Sequence, residues 1–179
     1  MARGLGGALR LTVMLAAAAA LPLGVQAVAT ATPVLAATCH SNGVLPDPTC
    51  QPGATNPDVT QSTIGSTICV SGWTATVRPP TSYTNPLKVQ QIAEYGYSDT
   101  NTADYEEDHL IPLELGGAPR DPRNLWPEPR SGPSGTTAGS KDSVENRLKS
   151  DVCAGRVTLS AARKAIAKNW TTVLQVTGG

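Results

Sequence analysis

Asp108 and His109 stand side by side in a stretch whose residue types could do chemistry. It reads Tyr105-Glu-Glu-Asp108-His109-Leu-Ile-Pro112-Leu-Glu-Leu-Gly116-Gly117, then Asp121-Pro-Arg123-Asn124-Leu125-Trp126-Pro127. Hydrolysing a phosphodiester needs a water deprotonated near neutral pH, and positive charge on the phosphorus oxygens and the leaving oxygen. Imidazole suits the first task, because its charge changes in the physiological range. A hard divalent cation held by oxygen ligands suits the second. Neighbouring Asp and His at a strand end can supply a metal ligand and a base. The other histidine, His40, lies in a Pro/Gly-rich segment without acidic neighbours.

The elements that must position this pair follow from pattern. Asp104 to Leu115 is strand-like, Gly116-Gly117 is a turn, and Arg123 to Pro127 is the return strand. Val144, Leu148 and Val152 recur every four residues and predict a helix over 141–152. Ala162, Ile166, Trp170 and Leu174 form the stripe of a last helix, with Ser160 as its cap. Upstream, Asn56-Pro57 predicts a helix start running to Ile68, and Trp73 to Val77 alternates like a short strand stopped by Pro79-Pro80. Asn85-Pro86 repeats the cap signal for a helix closed by Gly96. The order of helices, hairpin and helices makes a small α+β domain.

The Asp-His-Leu-Ile-Pro-Leu-Glu-Leu-Gly-Gly run, with Asn-Leu-Trp-Pro beginning fifteen positions after His109, resembles the hairpin of HNH endonucleases. These are the ββα-metal nucleases, with a hairpin-plus-helix core and here flanking helices and disulfide staples. Lys141-Asp-Ser-Val-Glu-Asn146-Arg-Leu, then Val152-Cys-Ala-Gly155, resembles the helix of exported bacterial members. The resemblance covers about 50–174 and is motif-specific over 105–153. It implies Asp108 as a metal ligand, His109 as general base, and Asn124 as the brace that holds the hairpin. The helix lacks the family's frequent His, which leaves Asn146 as the expected second metal ligand. Asp142 lies one turn earlier on the same face as Asn146, and Glu145 is the competitor of Asn146. Glu145, at the edge of the apolar stripe, suits an ion pair with Arg or Lys better than open coordination. The implied cofactor is one divalent ion, Mg²⁺ foremost, with Mn²⁺, Zn²⁺ or Ni²⁺ as alternatives. The implied substrate is DNA, with RNA as an extension.

Composition sets the compartment and trims the classes. Arg3 and Arg10, the apolar run Leu11 to Leu23 and small-residue sites up to Ala36 read as a secretory signal over 1–36, too short to span a membrane. A Pro/Gly-rich lead-in follows over 37–56, and the nuclease-like domain over 57–179. The mature chain is expected to be exported, free of membrane and monomeric. Without Phe and with three Trp, its core must rest on aliphatic residues. The cysteines Cys39, Cys50, Cys69 and Cys153 allow three connectivities; none has C-x-x-C spacing. Our reading takes Cys39–Cys50 as a local loop and Cys69–Cys153 as the long staple. Formal charge is zero, which counts against tight non-catalytic DNA binding. Arg120, Arg123, Arg130, Arg147 and Lys149 are candidates for phosphate contact. The alternative class is an exported envelope or interaction protein that keeps the scaffold without turnover.

Overall fold

A computed structural model describes residues 39–176, and the expected signal segment 1–36 lies outside them. Its elements are a five-residue helix α1 (Trp73–Val77), α2 (Thr81–Glu94), the strands β1 (Tyr105–His109) and β2 (Leu125–Pro129), α3 (Ala138–Cys153) and α4 (Leu159–Val176). β1 and β2 pair antiparallel, with Asp108 opposite Trp126 and His109 opposite Leu125. The chain is thus α+β, with one small sheet.

Two aliphatic surfaces close the main core. Val144, Leu148 and Val152 of α3 meet Leu159, Ala162, Ile166 and Trp170 of α4, and Val59, Ile68, Ile111 and Leu115 cover them. The helix-period stripes read from the sequence are therefore the buried faces as far as Trp170, the Leu174 side chain lying outside those described, and all of these side chains are under a tenth exposed. α3 starts in a capping box, in which the Thr137 hydroxyl accepts from Ser140 N–H and the Ser140 hydroxyl from Thr137 N–H. α4 is capped by Thr158, whose hydroxyl accepts from Ala161 N–H, and not by Ser160.

A second cluster lies on the other side of the hairpin. Tyr95, Trp126 and Cys39 bury one another, and Tyr97 stacks on Tyr105 at 5.0 Å between centroids. Gln91 of α2 donates to the Leu125 carbonyl at 2.8 Å, fixing helix to strand. Gly96, at φ 61°, ends α2 as expected, with Tyr97 N–H returning to the Ile92 carbonyl.

Both disulfides form as read, Cys39–Cys50 and Cys69–Cys153, the latter tying the segment after Ile68 to the end of α3. The lead-in from residue 39 is woven into the domain. Trp170 Nε1 donates to Val44 O at 2.8 Å, and Thr55 bridges Gly117.

Four expected elements differ. The strand expected from Asp104 to Leu115 stops at His109, and Leu113–Leu115 is a 3₁₀ turn after Pro112, which has no N–H to give a ladder. The helix from Asn56-Pro57 is absent; residues 57–68 hold only a single 3₁₀ turn, Ile64–Ser66. Thr and Ser side chains there bond the local backbone, as when Thr63 Oγ1 donates to Asp58 O, and offer an alternative to a helical ladder. Trp73–Val77 is one helical turn, not a strand; Gly72 at φ 77° turns the chain into it, and among the described residues no strand pairs with it. α2 begins at Thr81, so Pro86 sits inside it; the Pro80 carbonyl accepts from Tyr83 and Thr84 N–H and opens the helix.

Candidate functional site

The hairpin connection is a rigid scaffold. Between β1 and β2 the chain makes two 3₁₀ turns, Leu113–Leu115 and Pro122–Asn124. Asn124 is completely buried at their junction. Its Oδ1 accepts from Ile111 N–H at 2.9 Å and from Ala54 N–H at 3.4 Å. Its Nδ2 donates to Ile111 O and Ala118 O at 2.9 and 3.2 Å. The amide therefore satisfies backbone groups from three segments that no ladder reaches. Gly117 is obligatory beside it, because a Cβ there would lie 1.7 Å from the Ile111 carbonyl oxygen. Arg163 of α4 completes the clamp, donating to the carbonyls of Leu115, Val59 and Gly116.

This scaffold sets His109 at the end of β1. Its Nε2 lies 3.1 Å from the carbonyl oxygen of Pro119. A carbonyl only accepts, so Nε2 carries the proton and Nδ1 keeps its lone pair. No hydrogen bond holds Nδ1 among the described residues. Burial lowers the imidazole pKa below its ordinary value, against the pull of Asp108, so the ring is neutral at neutral pH. His109 and Asp108 line a small cleft of about 220 Å³ with Arg78, Glu106, Glu114, Asp142 and Glu145. Typical pockets for drug-sized ligands run to roughly 300–1,000 Å³, so this one suits a single phosphate-sized group.

Asp108 points to α3, and there it meets a lysine. Lys141 Nζ donates to Asp108 Oδ2 at 2.5 Å, to Glu145 Oε1 at 2.5 Å and to the His109 carbonyl at 2.9 Å. The Lys141 side chain is 2% exposed. Glu128, diagonal to Asp108 on β2, hydrogen-bonds Asp108 from a position that is also 2% exposed. Burial alone would raise the Asp108 pKa, but the Lys141 charge and the hydrogen bonds from Glu128 and Lys141 outweigh it and keep it low. Burial raises the pKa of Glu128, and the Asp108 charge adds to that, so Glu128 holds the proton it shares with Asp108. Burial pulls Lys141 down, yet Asp108, Glu145 and Glu128 more than restore it and keep it an ammonium.

The divalent ion implied by the HNH resemblance can be tested against this arrangement. Mg²⁺ demands near-octahedral oxygen coordination at about 2.0–2.1 Å, and Ca²⁺ takes about six to eight oxygens. The converging oxygens are there, but they are spent on Lys141, whose three protons find three acceptors. Among the described residues no group of three or more His, Cys, Asp or Glu side chains is arranged to hold a metal. The residues do not fit the ion.

Of the expected site residues, Asp108, His109 and Asn124 are brought together, and Glu145 joins them. Asn146 is not. It is exposed, and its Nδ2 donates to Asp142 O on its own helix. α3 turns the border of its apolar stripe to the hairpin, not its fully polar face. At about 100° per residue, Lys141 and Glu145 fall roughly 60° and 100° round from Val144, at that border, and Asn146 about 200° away. Glu145 makes the ion pair its position suggested.

The expected phosphate contacts are largely engaged. Arg123 pairs with Asp121, Arg130 with Glu106, Arg147 with Asp151 and Lys149 with Glu114, and Arg120 lies over the Tyr83 ring. Sequence reasoning missed Arg78, Glu128 and Lys141. Arg78 is exposed at the cleft wall and forms no ion pair among the described residues. Its only signal was the Arg-Pro-Pro sequence that stops α1. Lys141 had a better one, being a lone lysine three residues before the first stripe position. No family model, no curated protein and no solved structure matches the chain.

Proposed function

We propose that the chain is an exported hydrolase of nucleic-acid phosphodiester bonds, with His109 as its general base. The observation that carries this reading is the tautomer of His109. Its Nε2–H is spent on the Pro119 carbonyl, so a neutral Nδ1 is left to take a proton at a cleft of phosphate size. Asn124 supports it by fixing the backbone that follows His109, at Ile111 and at Ala118 beside the Pro119 carbonyl, and the HNH resemblance of 105–153 agrees. In this reading Nδ1 receives the proton of the attacking water, and the unpaired Arg78 faces the phosphate oxygens. Asp108 keeps its neighbours in place through Lys141. No step runs through a metal ion, since Lys141 stands in its place. Two disulfides, with no helix among the described residues long and apolar enough to cross a membrane, accord with export.

One observation favours the second reading, an exported interaction protein without turnover. The cleft wall carries Glu106, Asp108, Glu114, Asp142 and Glu145 against Arg78, and Lys141 offers no free proton to a phosphate. Such a wall repels an anionic substrate. Nicking of supercoiled plasmid and cleavage of RNA by the mature chain, with and without chelator, separate the two. The hydrolase reading expects cleavage that persists in chelator and disappears in His109→Ala. Absence of cleavage of both nucleic acids leaves the interaction protein.

A further inference from the structure

Oxygens of different origin converge on one point between β1 and α3. Asp108 Oδ2, Glu145 Oε1 and the His109 carbonyl oxygen lie 2.5, 2.5 and 2.9 Å from Lys141 Nζ. Glu128 adds a buried carboxyl against Asp108. Carboxylate and carbonyl oxygens gathered this closely are the donor set of a hard divalent cation. Here the cation is part of the chain. Its three protons match the three acceptors, and at 2% exposure the ammonium has no open side.

We propose that Lys141 is a resident cation occupying a latent metal site. Its removal converts Asp108, Glu145, Glu128 and the His109 carbonyl into a divalent-cation site that the native chain lacks. The capping box at Thr137 and Ser140 sets Lys141 in the first turn of α3, so folding itself delivers the charge. The cluster is then neutralised whatever ions surround the protein. This rests on the geometry of the cluster and holds whether or not the chain cleaves nucleic acid.

The test compares the mature native chain with Lys141→Ala, titrating each with Mn²⁺ and following the free ion by electron paramagnetic resonance. Melting temperature is measured alongside, in chelator and in Ca²⁺. The native chain is expected to leave Mn²⁺ free up to about 1 mM, the weak end of protein calcium sites, and to melt alike in both buffers. Lys141→Ala should take up Mn²⁺ saturably and melt higher with Ca²⁺. Adding Asp108→Asn, which removes a charged ligand, should weaken that uptake by at least about tenfold, no less than the loss of a group that merely supports a ligand. Saturable Mn²⁺ uptake by the native chain that Asp108→Asn abolishes would overturn the proposal. A folded Lys141→Ala chain that binds no better than native does the same. If Lys141→Ala is unfolded in chelator, Mn²⁺ or Ca²⁺ should fold it; a chain unfolded under all three conditions also overturns the proposal.

Discussion

Lys141 Nζ and Asp108 Oδ2 lie 2.5 Å apart, with their side chains only 2% and 15% exposed. A buried pair of this kind is held by mutual need, because either charge alone would be stranded away from water. Truncating one partner of such a pair typically costs about 3–5 kcal/mol, and replacing both with neutral groups costs much less. Lys141→Met is therefore expected to lose about 3–5 kcal/mol in urea denaturation, and Lys141→Met with Asp108→Asn to recover a good part of it. A single variant as stable as native would show that the pair contributes nothing.

His109→Ala should lower nucleic-acid cleavage by at least about a hundredfold, a common contribution of a general base, with the circular dichroism spectrum unchanged. Because burial lowers the imidazole pKa, the acid limb of the native rate profile should fall below 6.5. Retention of most of the native rate in the variant removes His109 from the chemistry.

Asn124→Ala leaves the Ile111 N–H and carbonyl and the Ala118 carbonyl buried without partners. Each such group costs about 1–3 kcal/mol, so the variant should lose at least about 2 kcal/mol. Asn146→Ala, at an exposed position, should stay within about 0.5 kcal/mol of native. Thermal melts of the two variants check the contrast, and equal losses would contradict the assignment of the brace.

The long staple spans 84 residues and the short one 11. On the chain-entropy model these closures contribute about 4–5 and about 3 kcal/mol. Cys69→Ser should accordingly reduce the melting temperature and the secreted yield more than Cys39→Ser does. The reverse order would place the folding constraint in the lead-in loop.

Asp47 gives an acid-side signature. Its carboxylate accepts from the Thr49 hydroxyl, Thr49 N–H and His40 N–H at 2.7, 2.8 and 2.9 Å. These bonds lower its pKa from 3.8 to about 2. A lowered folded-state value means that the stabilisation is full above the unfolded pKa and disappears as pH falls through the folded one. Melting temperatures of native and Asp47→Asn chains should therefore differ above pH ~4 and converge towards pH ~2. Parallel curves down to that pH would refute the role.

α3 and α4 were legible because burial imposes a period of 3.6, which Val144 to Val152 and Ala162 to Ile166 carry; the kink in α4 at Asn169, with φ −172° and ψ 96°, was not. The hairpin was legible because its turn residues and its Asp-His and Asn positions form one motif. Trp73–Val77 was not, because β-branched alternation is a preference for a pleated, paired surface, and no strand lies beside it. The 57–68 segment failed as a helix for a related reason, its hydroxyls competing for the backbone. Asn146 failed for a rotational one. A stripe fixes which face of a helix is buried, but not which border of that face meets the hairpin. The lysine that fills the carboxylate cluster was invisible as such, since a sequence shows charges without their pairing.

The bond from Trp170 Nε1 to Val44 O joins positions 126 residues apart, and this has a consequence for the order of events in a growing chain. Val44 gains this partner only once the last helix exists, whereas Cys39 is already tied to α2 through the Glu94 carbonyl and to Cys50. A chain shortened before Trp170 would lose the end of the roof over the aliphatic core and the bond that holds Val44, while Cys39 would keep its ties to Cys50 and α2.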